Sequence, residues 1–450
     1  MAILIAVLCA ITILICVPLV VLKPTWVFYT FLFFVTFSSI FTGYINEAGN
    51  LGLPMTWAPA DFLAWLTLFA AFFVHREKLF RAGVIKKCVI ILALMSGFAL
   101  AQGLIIHPRT ALTHSRVTHF VAAAIFGLRY FTDYSRVMGL LKFTVILLLV
   151  MFAIHVGIRF GIYTPPVAEF ERVVDIGGLA GERGNRSLIP MLYLVLISIA
   201  IGRLVSKVGS IFTSVFILLV GIGGVILSET RSMYGALALL MLASVIFIKG
   251  RIKNLILYGL VGLIAVSAAT AIGFDFLSRF RTDYGRGYYA LPSFYELRSS
   301  WRGIEYETIV SSYKQGPYFI LTGRGIGALH PAPIGKKPEV GFYHSEYLGW
   351  LDRCGLIGLF TLIVLILACL WRSFTLARID IPYLRYYGVT CFLLIIALAA
   401  DGLFHPILSH HRGASLLICF AAIMANWQYI YLSLFQEPEF LPNEVDQELA

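Results

Sequence analysis

The chain reads as an all-α polytopic membrane protein: roughly 12 transmembrane helices and one large outer loop that contains short helices. Three observations predict this. The 450 residues are 59% hydrophobic and only 13% charged, with a mean hydropathy of +0.86, where a soluble domain carries about 25% charge. Apolar runs long enough to cross a bilayer recur from end to end. The net charge of +11 collects in short segments between those runs, as expected of a membrane protein oriented by its basic loops. No basic patch sits on a soluble domain, which excludes nucleic acid as a partner.

The first two spans are expected at Ala2–Leu22 and Pro24–Ile45. The first run has no basic leader and ends at Lys23-Pro24 instead of small residues, so it is expected to stay uncleaved. A Gly-, Asn- and Pro-containing loop, Asn46–Pro59, leads to a span at Ala60–Val74. Arg76, Lys78, Arg81, Lys86 and Lys87 then form a basic group with only Glu77 against it, which marks a cytoplasmic loop. Further spans are expected at Cys88–Ile106, Phe120–Phe131 (short), Val137–Ile158, Ser187–Gly202, Val208–Leu227 and Met233–Ile248. Counting crossings predicts that Lys249, Arg251 and Lys253 are cytoplasmic, and their charge agrees. Leu255–Phe274 crosses outward and closes a first bundle, residues 1–274. The large outer loop follows over 275–343. Gly355–Trp371 returns to a third basic group, Arg372, Arg378 and Arg385. Tyr386–Leu403 and Ala414–Leu434 complete the C-terminal helices, residues 344–434. The acidic tail, 435–450, is expected to be cytoplasmic and disordered.

This frame gathers polar groups on the outer side. His344 lies where the large loop meets an apolar span, and an ionisable group at the mouth of a membrane helix is costly without a partner or a task. Gly355 and Gly358 follow it and are expected to let another helix approach closely. Arg231 and Arg412 run against the usual charge bias of outer segments. Ion pairs with Glu229 and Asp401 are one explanation for them. An anionic ligand is the other, because guanidinium binds phosphate bidentately. His410 and His411 stand in the same last outer loop. Within the large loop, Leu297, Trp301, Ile304, Thr308 and Ile309 make a helical stripe with Arg298, Arg302 and Glu305 beside it. Arg298 and Arg302 are four residues apart, so they repel unless an anion or Glu305 neutralises them. Gly323-Arg324-Gly325-Ile326-Gly327 lacks the context of a nucleotide-binding loop and is expected to be a tight turn.

The seven cysteines are scattered, mostly within apolar runs and without a Cys-x-x-Cys, and are expected to pack as small apolar residues. No histidine or carboxylate spacing suits a metal, so neither a metal nor another cofactor is expected. There is no Gly-x-Ser-x-Gly elbow.

In order and spacing these residues resemble the O-antigen ligase/polymerase family of bacterial envelope proteins. The ligases close on His-(Asn/Ser/Gln)-x9-Gly-x-x-(Gly/Thr/Tyr), and His344-Ser345 with Gly355 and Gly358 fits at every position. Ser228–Arg231, Arg298–Trp301 and Gly323–Gly327 resemble the earlier elements. The likeness covers residues 228–360. Ser345 stands where Asn is commoner, and it does not separate ligase from polymerase. The resemblance implies a bacterial inner-membrane glycosyltransferase whose large loop and site face the periplasm. The donor would be a glycan on undecaprenyl diphosphate. The acceptor would be a sugar hydroxyl, on lipid A–core for a ligase or on a second lipid-linked repeat for a polymerase. His344 would act as general base, and Arg231, Arg298 and Arg302 would hold the diphosphate. Glu229, Arg324, Asp401, His410, His411 and Arg412 form a second tier. A protein O-oligosaccharyltransferase is a third possible relative. A lipid-linked-glycan flippase would instead be expected to carry midplane polar groups and repeats.

Overall fold

A computed structural model describes residues 2–37, 41, 59–74, 83–108, 110–111, 119–160, 162, 191–228, 231–248, 309–311, 313–314, 316, 318–330, 339–340, 345–403 and 411–434. The described chain is helical apart from a two-residue strand pair. Its helices are α1 (Ala2–Leu22), α2 (Pro24–Thr36), α3 (Pro59–Phe73), α4 (Val84–Ile106), α5 (His119–Tyr130), α6 (Tyr134–Arg159) and α7 (Leu192–Ser206). There follow α8 (Ile211–Leu227), α9 (Arg231–Ser244), the short α10 (Tyr318–Thr322), α11 (Glu346–Ala377), α12 (Pro382–Asp401), α13 (His411–Ala425) and α14 (Trp427–Leu434). β1 (Leu329–His330) pairs antiparallel with β2 (Glu339–Val340).

Five of these helices, α1, α4, α6, α11 and α12, are long and apolar enough to cross a membrane, and five shorter ones are apolar. Large apolar side chains such as Leu8, Phe72, Phe98, Phe212, Phe360 and Leu367 cover the outer surface of the bundle. In water that surface would drive aggregation; in a bilayer it is solvated. The chain is therefore a helical membrane protein. The span expected at Leu255–Phe274 lies outside the described residues.

Packing divides the helices into two groups. In the first, α3 packs against α1, α2 and α5, and α5 packs closely on α13. In the second, α12 is the hub for α7, α9 and α11, and α8 covers α7. α7 is buried on nearly every side. Helix α4 bridges the groups by packing on α11. Close approaches use small residues, as membrane helices require: a Cβ on Gly202 would collide with Thr390, and one on Gly388 with Leu376 and Ala377. A buried polar contact crosses the second group, where His155 Nδ1 lies 3.0 Å from the Tyr193 hydroxyl.

The two ends of the bundle differ in charge. At one end cations lie over aromatic rings: Lys86 5.1 Å from the centroid of Tyr429, Arg372 4.7 Å from Trp427, and Arg136 5.0 Å from Tyr130. Lys86 and Lys87, expected in a loop, instead belong to the first turn of α4, because the apolar run behind them winds back through Val84. The span expected as one helix over Ala414–Leu434 breaks at Asn426, between α13 and α14. The amide of Asn426 donates to Leu128 O (3.0 Å) and Phe131 O (2.9 Å) and so satisfies the end of α5. The other end carries buried acids and the candidate site.

Candidate functional site

The site end is organised on the first nine residues of α11, Glu346–Cys354. Ser345 caps this segment in an extended conformation. The Glu346 backbone N–H donates to Gly402 O at 2.8 Å, which fastens the start of α11 to the end of α12. The Tyr347 hydroxyl adds a bond to Ala399 O, also 2.8 Å. The Glu346 side chain is buried and accepts a hydrogen bond from Trp350 Nε1. It stands in the first turn of a helix, where the dipole favours an anion. Trp350 meets Phe120 edge-on at 5.7 Å. Beside Phe120, His119 Nε2 lies 3.0 Å from Asp61 Oδ1, joining the starts of α5 and α3.

This nine-residue segment ends in a helix break. Gly355 has φ 65° and ψ −165°, a conformation essentially reserved for glycine. A Cβ there would also collide with the backbone of Leu321 and Thr322 at the end of α10. Gly355 and Gly358 are expected to let another helix approach closely. At Gly355 the helix that approaches is the short α10, whereas Gly358 faces Cys354 and Trp350 of its own helix.

Directly after α10 comes the glycine-rich turn. Gly323, Gly325 and Gly327 all have positive φ, as a tight turn demands. The turn is held on two sides. Arg324 N–H donates to Asp352 O (2.6 Å) and Gly325 N–H to Arg353 O (3.3 Å), both in α11. Ile326 N–H donates to Ala99 O (2.9 Å), and Gln102 Nε2 to Gly323 O (3.2 Å), both in α4. Arg324 Nε also pairs with Asp352 Oδ1 at 2.6 Å, with the two side chains 16% and 2% exposed. Tyr313 stands next to this pair. Burial pushes its phenol up to about 12, Asp352 adds to the rise and Arg324 opposes it.

The predicted site residues fall into three sets. Arg324 and Asp401 are fully described. Arg324 is engaged with Asp352, and Asp401 is buried at the last position of α12, beside Gly402. Arg231, His411 and Arg412 have described backbones at the starts of α9 and α13, while their side chains lie outside the described residues. His344, Arg298, Arg302, Glu229 and His410 lie outside the described residues altogether. Helix directions place the described members together. The end of α8 meets the start of α7 through Gly224 and Tyr193, and α13 runs away from the site end to Asn426. The starts of α9, α11 and α13 and the end of α12 therefore share one end of the bundle.

Glu346, Asp352, Asp61 and His119 were missed as site residues. Asp352 offered a signal: it is a carboxylate between Leu351 and Arg353 near the head of a long apolar run, costly there without a partner. Glu346 and Trp350 offered the four-residue spacing of a helical side-chain pair. An apolar cavity of about 80 Å³ lies between α11, α12 and α13, with Glu346, Tyr347 and Gly402 at one end and Leu365, Leu398 and Phe420 along it. Among the described residues no group of three or more His, Cys, Asp or Glu is placed to hold a metal. No family model matches the chain, and the search of curated proteins finds no match either.

Proposed function

We propose that the protein transfers a glycan from an undecaprenyl-diphosphate-linked donor to a sugar hydroxyl, in the manner of an O-antigen ligase, at the periplasmic face of a bacterial inner membrane. The supporting observation is the shared end of the bundle. The helix ends that carry Arg231, Asp401, His411 and Arg412, the docked turn that carries Arg324, and Ser345, the residue covalently bonded to His344, all lie there. The opposite end is the one rich in cations, as the cytoplasmic end of a membrane protein should be.

In this reading the imidazole of His344 takes the proton of the acceptor hydroxyl. The acceptor oxygen forms a bond to the anomeric carbon as the bond from that carbon to the diphosphate breaks. The electron pair leaves with undecaprenyl diphosphate, whose charge Arg231, Arg298 and Arg302 stabilise. The reaction is a single displacement with inversion and no glycosyl-enzyme intermediate.

The test is reconstitution of the purified protein in lipid nanodiscs with lipid-linked glycan, with and without divalent cation. Lipid A–core and a second lipid-linked repeat are offered as acceptors. Extension of lipid A–core identifies a ligase, and extension of the lipid-linked repeat identifies a polymerase. His344→Ala should keep its membrane abundance and lose at least about 10²-fold in turnover. Wild-type turnover in that variant removes the base assignment. Arg231→Glu should weaken donor binding, and unchanged affinity takes Arg231 out of the diphosphate site.

A further inference from the structure

The late, described part of the large loop is fastened to one short piece of helix, Glu346–Cys354. It docks through the Gly323–Gly327 turn on Asp352 and Arg353, and the chain then returns to Ser345 at the start of the same piece of helix. Between Glu346 and Asp352 the helix rises ~9 Å. The turn is three-fifths glycine, and its one large apolar side chain, Ile326, is buried in the core. Backbone hydrogen bonds, side-chain bonds from Gln102 to Gly323 O and from Thr110 to Gly327 O, and one ion pair hold it. A buried ion pair adds little net stability over an apolar pair of the same volume, because desolvation offsets the attraction. What it adds is a fixed distance and direction, through a planar guanidinium on a carboxylate. Asp352 is itself held inside α11, two residues beyond Trp350, which bonds Glu346.

We infer that the Arg324–Asp352 pair is a positioning joint that sets the large loop at one spacing from the helix end following His344. Neither side chain needs to touch substrate. For its kinetic consequence the inference rests on the transferase reading, since that reading requires the arginines of the loop to meet the imidazole. Its structural consequence stands apart from any activity.

The experiment uses the full chain in nanodiscs. Arg324→Gln, Asp352→Asn and the exchanged pair Arg324→Asp/Asp352→Arg are compared with wild type. Backbone hydrogen exchange is followed at residues 324–326, together with kcat and KM for the lipid-linked donor. Each single variant should speed exchange in the turn at least tenfold, and the exchanged pair should recover most of the protection. Turnover should fall about 10²-fold in the single variants, the cost of misplacing reacting groups by about 1 Å. KM should move less than threefold, and the exchanged pair should regain activity. Unchanged exchange in accumulated single variants overturns the joint, whatever the activity. A wild-type protein that transfers no glycan sinks the transferase reading, while the exchange data still judge the joint. If the single variants fail to accumulate, the neutral pair Arg324→Met/Asp352→Leu is read in their place. Wild-type exchange in that pair, or its own failure to accumulate, overturns a local positioning role.

Discussion

Gly355 shows how much one residue decides at the site end. Its φ and ψ lie where a side chain costs about 1–3 kcal/mol, and the backbone of Leu321 and Thr322 occupies the space a Cβ would take. Gly355→Ala should therefore lower stability by at least about 2 kcal/mol, since strain and collision act together. The midpoint of thermal unfolding in detergent reads this directly, and an unchanged midpoint would show that the break in α11 is dispensable. Tyr313 gives a second test. Its phenol keeps its proton to about pH 12 in the folded protein and ionises near its ordinary value of 10 when unfolded. A raised value of this kind contributes stability that is complete below pH 10 and is lost as pH climbs from 10 toward 12. The ultraviolet difference spectrum between wild type and Tyr313→Phe should show one tyrosine titrating near 12. A difference signal centred on 10 would mean that Asp352 and burial do not act on it.

Among the elements, the pair α13–α14 illustrates how a single polar residue breaks a span and uses the break. Asn426 is fully buried, and its amide serves two carbonyls at the end of α5. Asn426→Leu leaves those carbonyls without their donor in an apolar surrounding, at a cost of about 1–3 kcal/mol. Denaturant unfolding in mixed micelles should show it, and stability equal to wild type would mean that other donors reach Leu128 and Phe131. This element also marks where sequence reading stopped. The apolar run Ala414–Leu434 announces one span, and nothing in its hydropathy reveals that Asn426 has carbonyls to satisfy on a helix almost 300 positions earlier. The bundle itself was legible, because apolar length and basic flanks are local properties of the chain. The tight turn at Gly323–Gly327 was legible for the same reason, since closely spaced glycines report the conformation they permit. The partner of Arg324 was not, because Asp352 reaches it only through docking of α10 at Gly355. Nor was the His119–Asp61 contact, which depends on α3 and α5 running side by side in the same direction.

At the scale of the whole molecule, the contacts sort the helix termini onto two opposite ends. Asp61, His119, Glu346, Asp401 and the Gly323–Gly327 turn share one end; Lys86, Arg136, Arg372 and Trp427 share the other. The helices between them carry apolar side chains toward the surroundings, so a bilayer must separate the two ends. Cysteine labelling can test this cleanly, because all seven native cysteines are buried and should react slowly. Tyr318 is 60% exposed beside the docked turn, and Asp380 is exposed in the turn between α11 and α12. In the proposed periplasmic placement of the site, Tyr318→Cys should react with a membrane-impermeant maleimide added to cells with a permeabilised outer membrane and an intact inner one. Asp380→Cys should react only after the inner membrane is opened, since its neighbours Arg372, Arg378 and Arg385 are the kind of cluster retained in the cytoplasm. Labelling of both from the same side would mean that α11 does not cross. Labelling of Asp380→Cys alone from outside would invert the protein and put the candidate site in the cytoplasm, where a periplasmic transferase could not work.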